Sequence, residues 1–174
     1  MLHIVYGGSA SGKSSYAESF AMSLQGEGRL LYIATMYPYK WNTTEIDPET
    51  MQRIERHRAM RADKGFDTVE CYRHVEHIVA KRQDVLLLEC MSNLLANEMY
   101  LEPDSNAGSD MAETMSPVSN KIVQALIDLS TRVQELVIVT NDVFSDGGSL
   151  TYDESTREYV KNLAEINCAL ARVA

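Results

Sequence analysis

The stretch Gly7-Gly8-Ser9-Ala10-Ser11-Gly12-Lys13-Ser14 restricts this chain more than any other. It fits the spacing G-x-x-x-x-G-K-[ST] at every fixed position. An apolar run, Leu2-His3-Ile4-Val5-Tyr6, leads into it. A helical pattern leaves it, with Ala17, Phe20, Ala21 and Leu24 at i, i+3, i+4 and i+7. Strand, glycine loop and helix in that order are the context the spacing requires. The glycines let the backbone turn back so that several amide N–H groups converge on one hollow, and the helix N-terminus adds the positive end of its dipole. A phosphate is the ligand such a hollow accepts. Lys13 then reaches the β- and γ-phosphates, and the Ser14 hydroxyl is placed for Mg²⁺. The bland alternative is a Gly/Ser turn before a helix. The four fixed positions coincide by chance in on the order of one chain in 200 of this length, and the flanking elements lower that further. The stretch is read as a nucleotide-phosphate loop.

Strands and helices alternate beyond it. Residues 29–35 form a second, almost wholly apolar strand, the pattern of a strand buried on both faces of a parallel sheet. Asp47-Pro48-Glu49 starts a helix that runs to about Arg61. A short strand is expected over 66–73 and a short helix over 74–82. Residues 85–90 form a third buried strand, and 92–101 a helix. Residues 102–117, rich in Pro, Asn, Gly, Ser and Asp, read as the most mobile loop, and 144–150 as a glycine-containing one. An amphipathic helix spans 119–133, a strand 136–140 and a last helix 153–171. The expectation is an α/β layer fold with a mostly parallel central sheet. In such folds the site lies beyond the carboxyl ends of the strands. Four groups fall there: the phosphate loop, Ala34-Thr35-Met36, Glu89 and Thr140-Asn141-Asp142.

The 174 residues, 45% of them hydrophobic, suit one domain with a full core. A net charge of −9 argues against a nucleic-acid or anionic-membrane surface. No apolar run approaches the ~20 residues of a membrane span, and no signal peptide is evident. Cys71, Cys90 and Cys168 match no zinc spacing and read as reduced thiols of a cytoplasmic protein.

Two groupings carry chemistry. Glu89 ends an apolar strand where a phosphate-loop enzyme needs an acid for Mg²⁺ or its waters, and Asp142 competes for that role. Arg53, His57 and Arg61 are spaced i, i+4, i+8 and share one helix face, with Met51 and Ile54 turned to pack elsewhere. Two guanidiniums beside an imidazole cradle an anion, and a neutral imidazole there can attack phosphorus. A solvated charged face is the competing reading. His74 and His77 read as surface residues.

Taken together, these residues resemble the bifunctional adenosylcobinamide kinase/adenosylcobinamide-phosphate guanylyltransferase family of cobalamin biosynthesis. The resemblance covers nearly the whole chain. It rests on Gly7-Gly8-x-x-Ser11-Gly12-Lys13-Ser14, Tyr32-Ile33-Ala34-Thr35, and Glu49 with Arg53-Ile54-x-x-His57-Arg58-x-x-Arg61. It continues through Thr68-x-Glu70, Leu87-Leu88-Glu89-Cys90 with Asn97, Val139-Thr140-Asn141-Asp142-Val143, Arg157 and Asn167-x-x-Leu170-Ala171. It implies a P-loop, RecA-like fold, phosphorylation of adenosylcobinamide by ATP or GTP, and transfer of GMP from GTP to the product. The transfer passes through a GMP–histidine intermediate at the position of His57, with Lys13 the other catalytic residue. Nucleotide contacts are implied at Gly7 to Ser14, at Ala34, Thr35 and Met36, at Arg58, Ala59, Met60 and Arg61, and at Glu70 and Glu89. Ser14 and Glu89 would hold Mg²⁺. A homo-oligomer, typically a trimer, is implied as well.

The sequence departs from the family where Ala10 replaces an Arg, Phe144 a Gly, Val160-Lys161 an Arg-Asp and Ala164 a Gly. One extra residue stands between His57 and Glu70. The family continues past the position of Ala174 into another apolar strand, so a sheet one strand smaller, or a shortened chain, is expected. Two other functions fit the same residues: another small-molecule P-loop kinase, and a degenerate nucleotide-binding relative without catalysis.

Overall fold

Five short strands form one sheet in which every pairing is parallel. The structure is a computed structural model that describes residues 1–41, 43–101, 115–142 and 152–174. Strand β1 (Leu2–Gly7) leads to helix α1 (Lys13–Leu24). Strand β2 (Leu30–Ala34) is followed by α2 (Pro48–Arg61) and β3 (Phe66–Glu70). Then come β4 (Val85–Glu89), α3 (Met91–Tyr100), α4 (Pro117–Arg132), β5 (Glu135–Asn141) and α5 (Glu154–Ala171). The sheet order is β1-β5-β4-β2-β3.

Side-chain alternation along the strands divides the core in two. Leu31 and Ile33, Leu86 and Leu88, and Leu136 and Ile138 point to one face, where α3, α4 and α5 cover them. Tyr32, Leu87, Val137 and Val139 point to the other, against Ala17 and Ala21 of α1. Helices on both faces of a parallel sheet make the three-layer α/β fold expected from the alternation of elements. Arg61 is the one residue of α2 that is buried.

Local chemistry sets the helix ends. Asp47 caps α2 by accepting from Glu49 N, with Pro48 at the first position. Ser116 caps α4 and Asp153 caps α5 in the same way. Gly28 stands where only hydrogen fits, because a Cβ there would lie 1.8 Å from the Gln83 carbonyl oxygen.

Four expectations change. Residues 74–82 do not form a helix; a single 3-10 turn spans Val75–His77. His74 enters it in the left-handed region at φ 56° and Ile78 leaves it extended, because Val75 and Ile78 must both reach the core. His74 is not a free surface residue either: its N–H donates to Glu98, and its ring contacts Glu76 and Lys121. The strand expected over 66–73 stops at Glu70. Helix α4 starts two residues before position 119, at Pro117. Positions 102–114 and 143–151, which hold most of both expected loops and Val143 and Phe144, lie outside the described residues. No helix among the described residues is long and apolar enough to cross a membrane.

Candidate functional site

The strand register brings the four strand-end groups into one row. Gly7 pairs with Asn141, Val139 with Glu89, Glu89 with Ala34, and Ala34 with Glu70. The loop after β1 turns at Gly12, whose φ of 82° an L side chain rarely adopts, and α1 starts at the next residue. Ala10 also sits in the left-handed region, at φ 54°. Lys13 Nζ donates to the Gly8 carbonyl at 2.9 Å, so its ammonium lies within the loop it is expected to serve.

A cleft of about 320 Å³ opens beside this loop. It is lined by Ser9, Ala10, Lys13 and Ser14 of the loop and by Arg53, Ile54, His57, Arg58 and Arg61 of α2. Ala34, Met36, Glu89 and Asn141 make the floor at the strand ends. The phosphate loop and His57 therefore face one cleft within a single subunit.

Arg61 and His57 relate differently from the expected pair of guanidiniums around an imidazole. Arg61 turns inward, with its guanidinium carbon 3.4 Å from the centroid of the Tyr32 ring. Its Nη1 donates to the His57 carbonyl at 3.0 Å. Its buried Nε has no hydrogen-bond partner among the described residues. The aromatic face takes the place of solvent for this cation. Arg58 is ion-paired to Glu70, and Glu70 also accepts from the Tyr72 hydroxyl at 3.0 Å.

Glu89 is held from below. The Tyr32 hydroxyl donates to its Oε2 at 3.1 Å. Burial, first, and then the negative charge of Glu89 push the Tyr32 phenol far above its ordinary value, so it stays a neutral donor across the working pH range. Thr35 is fully buried. Its hydroxyl accepts from Cys90 N at 2.8 Å and lies 3.0 Å from the carbonyls of Glu89 and Cys90. Asn97, also buried, donates from Nδ2 to the carbonyls of Thr35 and Tyr72 at 2.8 and 2.9 Å. Thr35 thus fixes the backbone on which Glu89 stands, and Asn97 fixes Thr35.

Asp142, the competitor of Glu89, does not line the cleft. Its amide donates to the Gly7 carbonyl. On the far side of the sheet edge, burial and a hydrogen bond to Asp142 raise the Tyr6 phenol above its ordinary value. Ala59 and Met60 are exposed on α2 away from the cleft, and Glu70 reaches it only through Arg58. Gly7, Gly8, Ser11 and Gly12 belong to the same stretch but do not line the cleft.

Sequence reasoning missed Tyr32, Ser92 and Asn93, which also line the cleft. Tyr32 carried a signal: it is the one side chain in the apolar run Leu30–Ala34 with a polar atom, and a buried tyrosine hydroxyl needs a partner. Ser92 and Asn93 show no such mark, since the first turn of α3 reads as an ordinary polar helix start.

Residues 3–174 match the sequence profile of the family described as CobU, cobinamide kinase/cobinamide phosphate guanyltransferase. Two curated relatives are similar over the full chain. The bifunctional adenosylcobalamin biosynthesis protein CobU of Escherichia coli (strain K12) is 29% identical over 183 residues, which cover 100% of this chain and 92% of the relative. The protein of the same name from Salmonella typhimurium (strain LT2) is 29% identical over 182 residues, with the same coverage.

Proposed function

The chain belongs to the cobinamide kinase/cobinamide phosphate guanyltransferase family and is a transferase, and on that premise we propose that the cleft beside the phosphate loop serves both reactions. The observation that carries this reading is that Lys13 and His57 line the same cleft.

In the first reaction the alcohol oxygen of adenosylcobinamide attacks the γ-phosphorus of GTP or ATP. The bond to the β-phosphate breaks and the nucleoside diphosphate leaves. The loop Gly7 to Ser14 orients the phosphates, and Lys13 offsets the charge that builds on the leaving group. In the second reaction the neutral imidazole nitrogen of His57 attacks the α-phosphorus of GTP, and pyrophosphate leaves. A phosphate oxygen of adenosylcobinamide phosphate then attacks that phosphorus, the N–P bond breaks, and adenosylcobinamide-GDP departs with His57 restored. Arg53 and Arg61, which line the same cleft, supply the positive charge that holds the phosphates.

The donor set fits Mg²⁺. Ser14 and Glu89 bring a hydroxyl and a carboxylate to the same cleft, and Mg²⁺ takes hard oxygen ligands, few from protein and the rest from phosphates and water. When bound, the ion neutralises phosphate charge; holding it is the work of those two side chains. A homo-oligomer, by resemblance a trimer, completes the proposal, and light-scattering mass in solution checks it.

The test uses GTP labelled in the α-phosphate. Acid-labile label retained on the denatured protein, and lost in His57→Ala, is the expected result. Phosphate transfer to adenosylcobinamide with no label on the protein would reduce the reading to a kinase. GTP binding with neither activity would reduce it to a nucleotide-binding relative.

A further inference from the structure

The loop between β2 and α2 carries a run of aromatic rings that neither reaction has yet used. Tyr37 lies 5.4 Å from Tyr39, 6.4 Å from Trp41 and 5.4 Å from Tyr72, centroid to centroid. Trp41 in turn meets Tyr100 of α3 edge-on at 6.2 Å. The outer rings are not core: Trp41 is 53% exposed, Tyr39 38% and Tyr100 37%. Connected rings left open to solvent mark a binding surface more often than a packing remnant.

These rings are held in place. Lys40 N donates to the Glu45 carbonyl at 2.9 Å, and Asp47 N to the Pro38 carbonyl at 3.0 Å. Tyr39 bridges Ile46. Asn97 holds the Tyr72 backbone, and the Tyr100 hydroxyl bonds Ser155. Tyr37, Tyr39 and Trp41 wall a hollow of about 390 Å³. Met36, Arg53 and Asn93 line both this hollow and the nucleotide cleft, so the two adjoin. A larger cavity of about 1210 Å³ lies beyond Tyr37, beside Cys71 and His74, but shares no lining residue with the cleft.

We propose that the aromatic hollow receives the flat conjugated macrocycle of the cobinamide substrate and directs its alcohol arm past Met36, Arg53 and Asn93 into the nucleotide cleft. This rests on the reading given under Proposed function. A conjugated ring system stacks on exposed aromatic faces, and its amide-bearing rim meets polar groups at Thr50, Asn93 and Lys40. A macrocycle larger than the hollow lies across it with one face in solvent. Three rings, Tyr37, Tyr39 and Trp41, line the hollow itself.

Trp41 is the only tryptophan of the chain, which makes it a direct probe. The full chain is titrated with cobinamide in the absence of nucleotide, and tryptophan emission is read against free tryptophan amide to correct for absorbed light. Saturable quenching by cobinamide, with none from GTP alone, is expected. In steady state, Trp41→Ala and Tyr39→Ala each raise the KM for cobinamide about tenfold, the scale of one lost stacking contact, while the KM for GTP holds. Quenching by GTP but not by cobinamide would assign the hollow to the guanine base and overturn the proposal. So would an unchanged cobinamide KM in both variants, or absence of any quenching. Quenching by cobinamide in a protein that never phosphorylates it would count against the proposed reaction and leave the site standing.

Discussion

The guanidinium carbon of Arg61 lies 3.4 Å from the centre of the Tyr32 ring, and the hydroxyl of that ring donates to Glu89 at 3.1 Å. One aromatic side chain thus links α2, the helix that carries His57, to the acid at the end of β4. Arg61 is the single buried residue of α2, so the position of His57 over the cleft depends on this contact more than on apolar packing.

Replacing the cation separates its two roles. Arg61→Met keeps most of the volume against Tyr32 and removes a buried charge. The cost in folding stability should stay below about 2 kcal/mol, because a cation–π contact is lost while a desolvated cation is also removed. GTP affinity should fall tenfold or more, about 1.4 kcal/mol, when measured by calorimetry. Unchanged affinity would leave Arg61 as a packing residue only.

Glu89→Gln keeps an oxygen to accept from Tyr32 but removes the negative charge. The fold should survive with an unchanged circular dichroism spectrum. The Mg²⁺ concentration giving half-maximal turnover should rise about tenfold, as expected for one lost charged oxygen ligand. The same Mg²⁺ dependence as the parent protein would move the ion away from Glu89.

Lys13→Ala removes the loop's ammonium, which now rests on the Gly8 carbonyl. Weaker GTP binding by about tenfold or more is expected, with thermal stability little changed, since a partly exposed charge is lost rather than a core group. Full affinity in this variant would contradict the phosphate-loop assignment.

Asp84 gives a prediction in pH. It is fully buried between β3 and β4. Burial raises its pKa, but hydrogen bonds from the Arg29 side chain and from the backbone N–H groups of Lys81 and Arg29, with the Arg29 charge, outweigh that and lower it. A lowered carboxyl pKa contributes stability that is present above the unfolded value, about 3.9, and lost as pH falls through the folded value. Urea titrations should therefore show a loss of stability below about pH 4 that is absent in Asp84→Asn. That variant should lose about 3 kcal/mol at pH 7, since the Arg29 and Lys81 donors keep only part of their partner. A parallel pH profile in both proteins would exclude Asp84 as the source.

Gly28→Ala tests the close approach at the start of β2. The added Cβ would meet the Gln83 carbonyl oxygen at 1.8 Å and its carbon at 2.3 Å, both backbone atoms. A loss of at least about 2 kcal/mol, or failure to fold, is expected on thermal melting. Stability equal to the parent protein would show that the 81–84 turn can move aside.

Much of this arrangement was legible from local pattern. The phosphate loop announces itself by glycine spacing between a strand and a helix. Helix α2 announces its start by Asp47-Pro48 and its charged face by the i, i+4, i+8 spacing of Arg53, His57 and Arg61. Strands β2, β4 and β5 appear as apolar runs of the length a buried strand needs. The helix expected over 74–82 was a misreading of the same kind of pattern: Val75 and Ile78 have helical spacing, but each is placed by the core it fills.

The amino-acid sequence by itself determined the elements and the chemistry they carry: short-range propensity, capping and side-chain alternation act between neighbours, and neighbours are what a sequence displays. Only the tertiary structure decided which chemistry meets. The order β1-β5-β4-β2-β3 sets Glu89 between Ala34 and Val139 and leaves Asp142 outside the cleft. It also turns Arg61 onto a ring 29 positions away in the chain, and makes Thr35 a support instead of a lining residue. Those outcomes depend on which strands pair and which faces they bury, contacts between residues distant in sequence that no local pattern encodes.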